Sequence, residues 1–270
     1  MSFLFPWPLE AAPAIALGGL AAALAVAVLT WLASLHWNDL SVVDRVWGPL
    51  IALPAWVYAW QFPAQGARAT VMLAIVTLWA ARLSWHITRR SWGHPEDRRY
   101  QAMRERNGPA FRFTSLGWVF GLQAVIAWAV GQPFFAGMAG TAPWSAVDTL
   151  GVSLALAGLL IETLADAQLT RFKADPANAG RVMDRGLWAW SRHPNYFGET
   201  LCVWGLGLMG AGAAVGGAAA WVLVAPLIMT ALILKVSGVT LLEADLTRHR
   251  PGYADYVARV PAFIPRPPRR

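Results

Sequence analysis

Long apolar runs, broken by short clusters of charge, set the pattern of this chain. A helix needs about 20 mostly apolar residues to cross the hydrocarbon core of a bilayer. Seven runs meet that length, over roughly 12–35, 43–61, 69–87, 114–138, 144–168, 197–216 and 218–241. The pattern predicts an all-α integral membrane protein, a bundle of seven transmembrane helices. The first run is Ala/Leu-rich throughout and has no basic residue ahead of it, so it reads as a retained span and not as a signal peptide. No repeat and no linker between soluble domains is visible, so the chain reads as a single membrane domain, 1–270, with a tail over 242–270.

Composition agrees with the spans. Hydrophobic residues make up 57% of the 270 and charged residues 14%. A soluble domain carries about 45–50% apolar and about 25% charged residues. Disordered chains are poor in apolar residues, and a disulfide scaffold is excluded because Cys202 is the only cysteine. With one cysteine and 5 scattered histidines, no metal site is expected.

Charge then gives an orientation. Arg89, Arg90, Arg98, Arg99, Arg104, Arg106 and Arg112 fall between the third and fourth runs. Arg171, Lys173, Arg181, Arg185 and Arg192 fall between the fifth and sixth, and Arg248, Arg250, Arg259, Arg266, Arg269 and Arg270 follow the last. Loops rich in Lys and Arg stay cytoplasmic. Seven spans with the N-terminus outside and the C-terminus cytoplasmic put all three groups on one face and leave Arg68 as the sole basic residue of the other. The net charge of +7 is thus a property of one face, and nucleic acid is not an expected partner.

Ionisable residues inside spans are costly and mark function. Asp44 and Arg45 open the second run, Arg82 and His86 lie late in the third, and Glu162 and Asp166 late in the fifth. Glu199 opens the sixth and Lys235 lies late in the seventh. Arg82 and Lys235 fit snorkelling to the interface as well as a place in a site. At helical spacing Glu162, Asp166, Leu169/Thr170 and Lys173 share one face, where sugar or ribose hydroxyls could serve the carboxylates. In Trp190-Ser191-Arg192-His193-Pro194-Asn195-Tyr196-Phe197-Gly198-Glu199, Pro194 suits the first turn of a helix. Arg192, His193 and the amides near Asn195 would then meet at a helix start, a place that suits an anion. Trp188, Trp190 and Tyr196 read as interface anchors. Leu241-Leu242-Glu243-Ala244-Asp245-Leu246, Arg250 to Tyr256 and Val260 to Pro265 read as a helix end, a Pro-Gly turn, a short helix and an extended tail.

These three segments, Glu162 to Lys173, Gly186 to Glu199 and Glu243 to Pro261, resemble the DUF1295 family of bacterial membrane proteins. That family is similar to steroid 5α-reductases and, more distantly, to isoprenylcysteine carboxyl methyltransferases. The resemblance implies a seven-helix bundle in the inner membrane with a cytoplasm-facing site for NADPH. It implies hydride transfer to the β-carbon of a lipophilic enone, such as a 3-oxo-Δ4-steroid, entering from the lipid. By position in the motifs, Asp166 matches a cofactor-contacting Asp, Asn195 a nicotinamide-side Asn, Glu162 a further polar contact, and Lys235, loosely, a basic residue of the last span.

Arg82, His193, Tyr196 and Glu243 join that expected cofactor group, and Arg171, Lys173, Arg181 and Arg192 are expected against its phosphates. The reductases polarise the substrate carbonyl with a Glu of the second span and a Tyr of the third. Here the second span offers Asp44 and Tyr58 as catalytic candidates, and the third has no Tyr. To donate a hydrogen bond Asp44 would have to be protonated, its pKa raised by an apolar site. The alternative is an S-adenosylmethionine-dependent membrane methyltransferase, since those enzymes also carry the Arg192-His193-Pro194 motif and Glu243.

Overall fold

The computed structural model of the chain describes residues 12–62, 66–214, 218–236, 243 and 251–267, and no strand occurs among them. Four helices, Pro13–Trp37, Ala67–Ser91, Phe111–Ala139 and Ala146–Ala174, are long and apolar enough to cross a membrane. They match the first, third, fourth and fifth expected spans. An integral membrane protein is thereby supported at the level of its helices.

The other three runs differ from expectation in instructive ways. Residues 43–61 are not one helix, because Val42–Arg45 is separated at Val46 from Trp47–Gln61. The Leu40 amide donates to Glu96 (2.7 Å) and the Arg45 Nε to Ser91 Oγ (3.1 Å). Asp44 and Arg45 thus stand ahead of the apolar helix, among polar partners. The sixth run begins earlier than expected, in the Pro194–Ala213 helix. Its first residue is a proline, whose missing N–H costs nothing there. The seventh is broken into Ala218–Val222, Val224–Ala231 and a π-helical turn Leu232–Val236. Pro226, with no N–H, fits the first turn after the break. The end of that run, Leu241, Leu242, Ala244, Asp245, Leu246, Arg248, Arg250, Arg269 and Arg270 lie outside the described residues.

Contacts divide the chain into two compact units, Met1–Asp148 with Leu208–Ala225, and Thr149–Gly207 with Pro226–Arg270. In the first unit the Trp47–Gln61 helix packs on Ala12–Trp37, on Ala67–Ser91 and on the second half of Phe111–Ala139. Gly48 lets two backbones meet, since a Cβ there would lie 2.8 Å from the Ala80 backbone. The Phe111–Ala139 helix contains a π-helical turn, Leu116–Gly121, that faces Ala12–Trp37. Arg68 is buried, so it is no surface charge. Its Nε and Nη2 donate to Asp148 at 2.6 and 2.8 Å, and its Nη1 and Nη2 to the carbonyls of Ala142 and Pro143.

In the second unit the helices Ala146–Ala174 and Pro194–Ala213 cross at close range. A Cβ on Gly158 would lie 2.4 Å from the Cys202 amide nitrogen, one on Gly198 2.6 Å from the Glu162 nitrogen, and one on Gly205 2.4 Å from the Gly151 oxygen. Gly151, Ala155 and Gly158 follow helical spacing, so one smooth face meets another. Apolar lipid does not drive helices together, and small residues let their backbones make the contact instead.

Candidate functional site

The glycine crossing positions the first cluster. Glu162 and Asp166 are buried while Thr163 and Leu164, on the other face of their helix, are exposed. Asn195 stands one residue into the neighbouring helix and donates its Nδ2 to Asp166 Oδ1 at 3.1 Å. That bond fixes the orientation of the amide. Among the described residues Asn195 Oδ1 is then buried and without a hydrogen-bond partner, as is Thr200 Oγ1 five residues on. A buried carbonyl oxygen without a donor costs about 1–3 kcal/mol. It is an acceptor to which a ligand N–H or O–H could donate. Lys173 carries the face to an exposed end, with Arg171 beside it.

The second cluster is built by the segment before that helix and by the chain's last described residues. Gly186, at φ +59, turns the backbone toward Gln168, which accepts from the Leu187 amide at 3.0 Å. Trp188 is buried and donates its indole N–H to the Ala165 carbonyl, so it is no interface anchor, whereas Trp190 is half exposed. The C-terminal chain lies along this segment. The Arg192 amide donates to the Pro261 carbonyl and the Arg266 amide to the Trp190 carbonyl, each at 2.9 Å. Tyr256, on the Tyr253–Arg259 helix, donates to the Trp188 carbonyl at 2.6 Å.

Arg192 closes the cluster. Its Nε and Nη2 donate to the two oxygens of Glu243 at 2.8 Å each, and its Nη1 to the carbonyls of Val257 and Val260. The guanidinium is spent on the protein itself, which removes it from the residues expected against phosphates. His193 Nε2 lies 3.0 Å from Glu243 Oε1, and its ring stacks on Tyr196 with centroids 5.6 Å apart. Burial acts to raise the Glu243 pKa, but the bonds from His193 and Arg192 outweigh it and hold the carboxyl down at about 2. Arg181 is exposed, and so is Lys235 on its π-helical turn.

Asp44, Tyr58 and Arg82 belong to the first unit. Asp44 Oδ1 accepts from the Tyr100 hydroxyl and Oδ2 from Arg99 Nη2, both at 2.7 Å. Burial raises the Asp44 pKa against the lowering pull of Arg99 and Tyr100. As built, Asp44 accepts rather than donates. Tyr58 does not join it. It sits eleven residues beyond Trp47, about 16 Å along the helix at about 1.5 Å per residue. There its buried ring packs on Phe135 and over Gly19. Arg82 is half-buried on the Ala67–Ser91 helix.

Tyr100 is the partner that sequence reasoning missed. A signal was present, because it is the one aromatic in the polar run Arg98-Arg99-Tyr100-Gln101 and must turn inward. An apolar cavity of about 450 Å³ lies beside Ile161, Leu164, Leu187 and Trp190, and none of the acidic residues lines it.

A curated relative, an uncharacterized protein of Schizosaccharomyces pombe, is 27% identical over 203 residues, 64% of this chain and 58% of the yeast protein. The chain thus spans less than two thirds of that relative's length, and kinship with a yeast protein gives no support to a bacterial inner membrane in particular. No solved structure matches. A family described as "Protein of unknown function (DUF1295)" matches residues 30–260, which takes in Asp44, Tyr100, Asp166, Asn195, Arg192 and Glu243, and the chain belongs to the DUF1295 family.

Proposed function

We propose that this protein is an NADPH-dependent reductase of the C=C bond of a lipophilic enone, with a 3-oxo-Δ4-steroid as the first substrate to try. In this proposal the chain crosses the membrane seven times, with its N-terminus outside and its basic linkers cytoplasmic. The observation that carries the proposal is the Asp166–Asn195 pair, whose amide oxygen is buried with no donor among the described residues. The donor set fits the cofactor. A nicotinamide carboxamide brings the N–H that Asn195 Oδ1 lacks, and ribose hydroxyls bring donors to Glu162 and Asp166. The exposed Arg171, Lys173 and Arg181 suit the phosphates, without Arg192.

NADPH, when bound, supplies the hydride. The chain's part is to hold and polarise. Negative charge grows on the enone oxygen as the hydride reaches the β-carbon, a fixed O–H donor stabilises it, and the α-carbon then takes a proton from solvent. By the resemblance Asp44 is the residue to test in that role, with the Tyr100 hydroxyl bonded to it at 2.7 Å.

The test is thermal unfolding of the purified full chain with NADPH or with S-adenosylmethionine, followed by NADPH oxidation on adding an enone steroid. Stabilisation of the wild type by NADPH, lost in Asn195→Ala and Asp166→Asn, is the expected result. Stabilisation by S-adenosylmethionine alone would move the assignment to a methyltransferase, for which the Arg192–His193–Glu243 cluster speaks. No response to either ligand would overturn both.

A further inference from the structure

A further cavity lies where the linker after the third span meets the fourth. The Arg98–Asn107 helix is capped at its start by Asp97, which accepts from the Arg99 amide at 2.9 Å. Gly108, at φ +72, turns the chain, and Pro109 and Ala110 lead into the Phe111–Ala139 helix. An open cavity of about 630 Å³ lies in this bend, lined by Glu96, Arg104, Glu105 and Arg112 among others. The volume falls within the range of small-molecule sites, about 300–1,000 Å³.

Two of the four charges are already matched. Arg104 Nη2 and Nε donate to Glu96 at 2.8 and 3.2 Å, and Glu96 also accepts from the Leu40 amide. The other two are not. Among the described residues neither the Glu105 carboxylate nor the Arg112 guanidinium has a hydrogen bond or an ion pair, and Arg112 only lies over the ring of Phe113, 5.0 Å from its centroid. One cavity therefore presents an unmatched anion and an unmatched cation that do not reach each other.

Depth identifies the occupant. Arg112 is the second residue of a helix long enough to span a bilayer, which puts it at the level of lipid headgroups. Phe113 is 58% and Trp118 75% exposed on the same helix, as aromatic residues at a membrane interface are. The Trp31 indole donates to the Arg112 carbonyl at 3.1 Å and ties the first span to this level. We propose that this cavity seats a phospholipid headgroup bearing both a phosphate and a primary ammonium, with the phosphate on Arg112 and the ammonium on Glu105. Arg suits a phosphate through its planar fork of donors. A primary ammonium donates to a carboxylate, which the quaternary ammonium of a choline headgroup does not.

Native mass spectrometry of the full chain in neutral detergent tests this, with equimolar phosphatidylethanolamine, phosphatidylglycerol and phosphatidylcholine added. Phosphatidylethanolamine should be retained about tenfold over the other two, the worth of one charge-assisted contact. Arg112→Gln should lose that retention, and Glu105→Gln should abolish the preference over phosphatidylglycerol. Both side chains are exposed, so neither variant threatens the fold. Equal retention of the three lipids, or wild-type preference in either variant, would overturn the proposal. So would displacement of the lipid by soluble phosphorylethanolamine at equal concentration, because the occupant would then be a free metabolite.

Discussion

Arg192 grips Glu243 with two parallel hydrogen bonds of 2.8 Å, across fifty residues of chain. The grip ties Glu243 to the start of the Pro194–Ala213 helix, and His193 adds a third bond to the same carboxylate. Removing one partner of a largely buried pair costs about 3–5 kcal/mol, because the other is left uncompensated. Glu243→Gln and Arg192→Met should each lower the unfolding temperature of the detergent-solubilised protein by several degrees.

The same pair gives a pH dependence with a definite sign. The Glu243 pKa is held at about 2, below its ordinary 4.5. Its stabilisation is complete above about pH 4.5 and is lost as the pH falls toward 2. Thermal unfolding followed from pH 6 down to about 2.5 should show a steeper fall in wild type than in Glu243→Gln. Parallel curves would show that the carboxylate is not held down by its partners.

At the glycine crossing, Gly198→Val should be among the most damaging single changes. Its Cβ alone would lie 2.6 Å from the Glu162 nitrogen and from the Gly158 oxygen, both backbone atoms that cannot swing away. The helices must separate, and Asn195 must leave Asp166. Loss of folded protein on size exclusion, or folded protein that no longer responds to NADPH, is the expected outcome. A variant as stable and responsive as wild type would contradict the close approach.

Arg68 and Asp148 should behave as a unit. Arg68→Ala or Asp148→Asn leaves a buried charge without its counter-ion and should destabilise the protein by about 3–5 kcal/mol. The double change Arg68→Met with Asp148→Leu should recover a large part of that loss, since an apolar pair of similar volume is often tolerated. Thermal unfolding of the three variants decides it, and a double variant worse than both singles would refute it.

For Asp44 and Tyr100 the expectation concerns rate. Tyr100→Phe should lower kcat for an enone with little effect on NADPH binding. Asp44→Asn should lower the same rate, because Tyr100 and Arg99 then lose the carboxylate that holds them. An unchanged rate in Asp44→Asn would remove this residue from the chemistry.

How far the sequence could be read follows from what each signal depends on. Glu162 and Asp166 were legible because helical spacing alone puts them on one face, and both are buried on it. Pro194 marked the start of its helix through its own ring. Arg192 suggests an anion by its identity, and the carboxylate it holds, Glu243, comes fifty-one residues later in the chain, where no local spacing announces it. Hydropathy reads 43–61 as one run because it does not register Val46, where the backbone leaves helical geometry. The place of Tyr58 over Gly19 is a matter of packing, which no local pattern announces.

The π-helical turn at Leu116–Gly121 sets the rotational phase of everything downstream on its helix. Such a turn holds one residue more than the α turn it replaces. Ala124, Ala127 and Val130 face inward after it, while Leu122 and Val125 face out. Deleting a single residue from the turn would rotate that inner row by about 100° and carry Ala124 toward the lipid. The helix is thus geared by one surplus residue, and an aligned relative that lacks it must either shift its inward row by one position or insert a residue nearby.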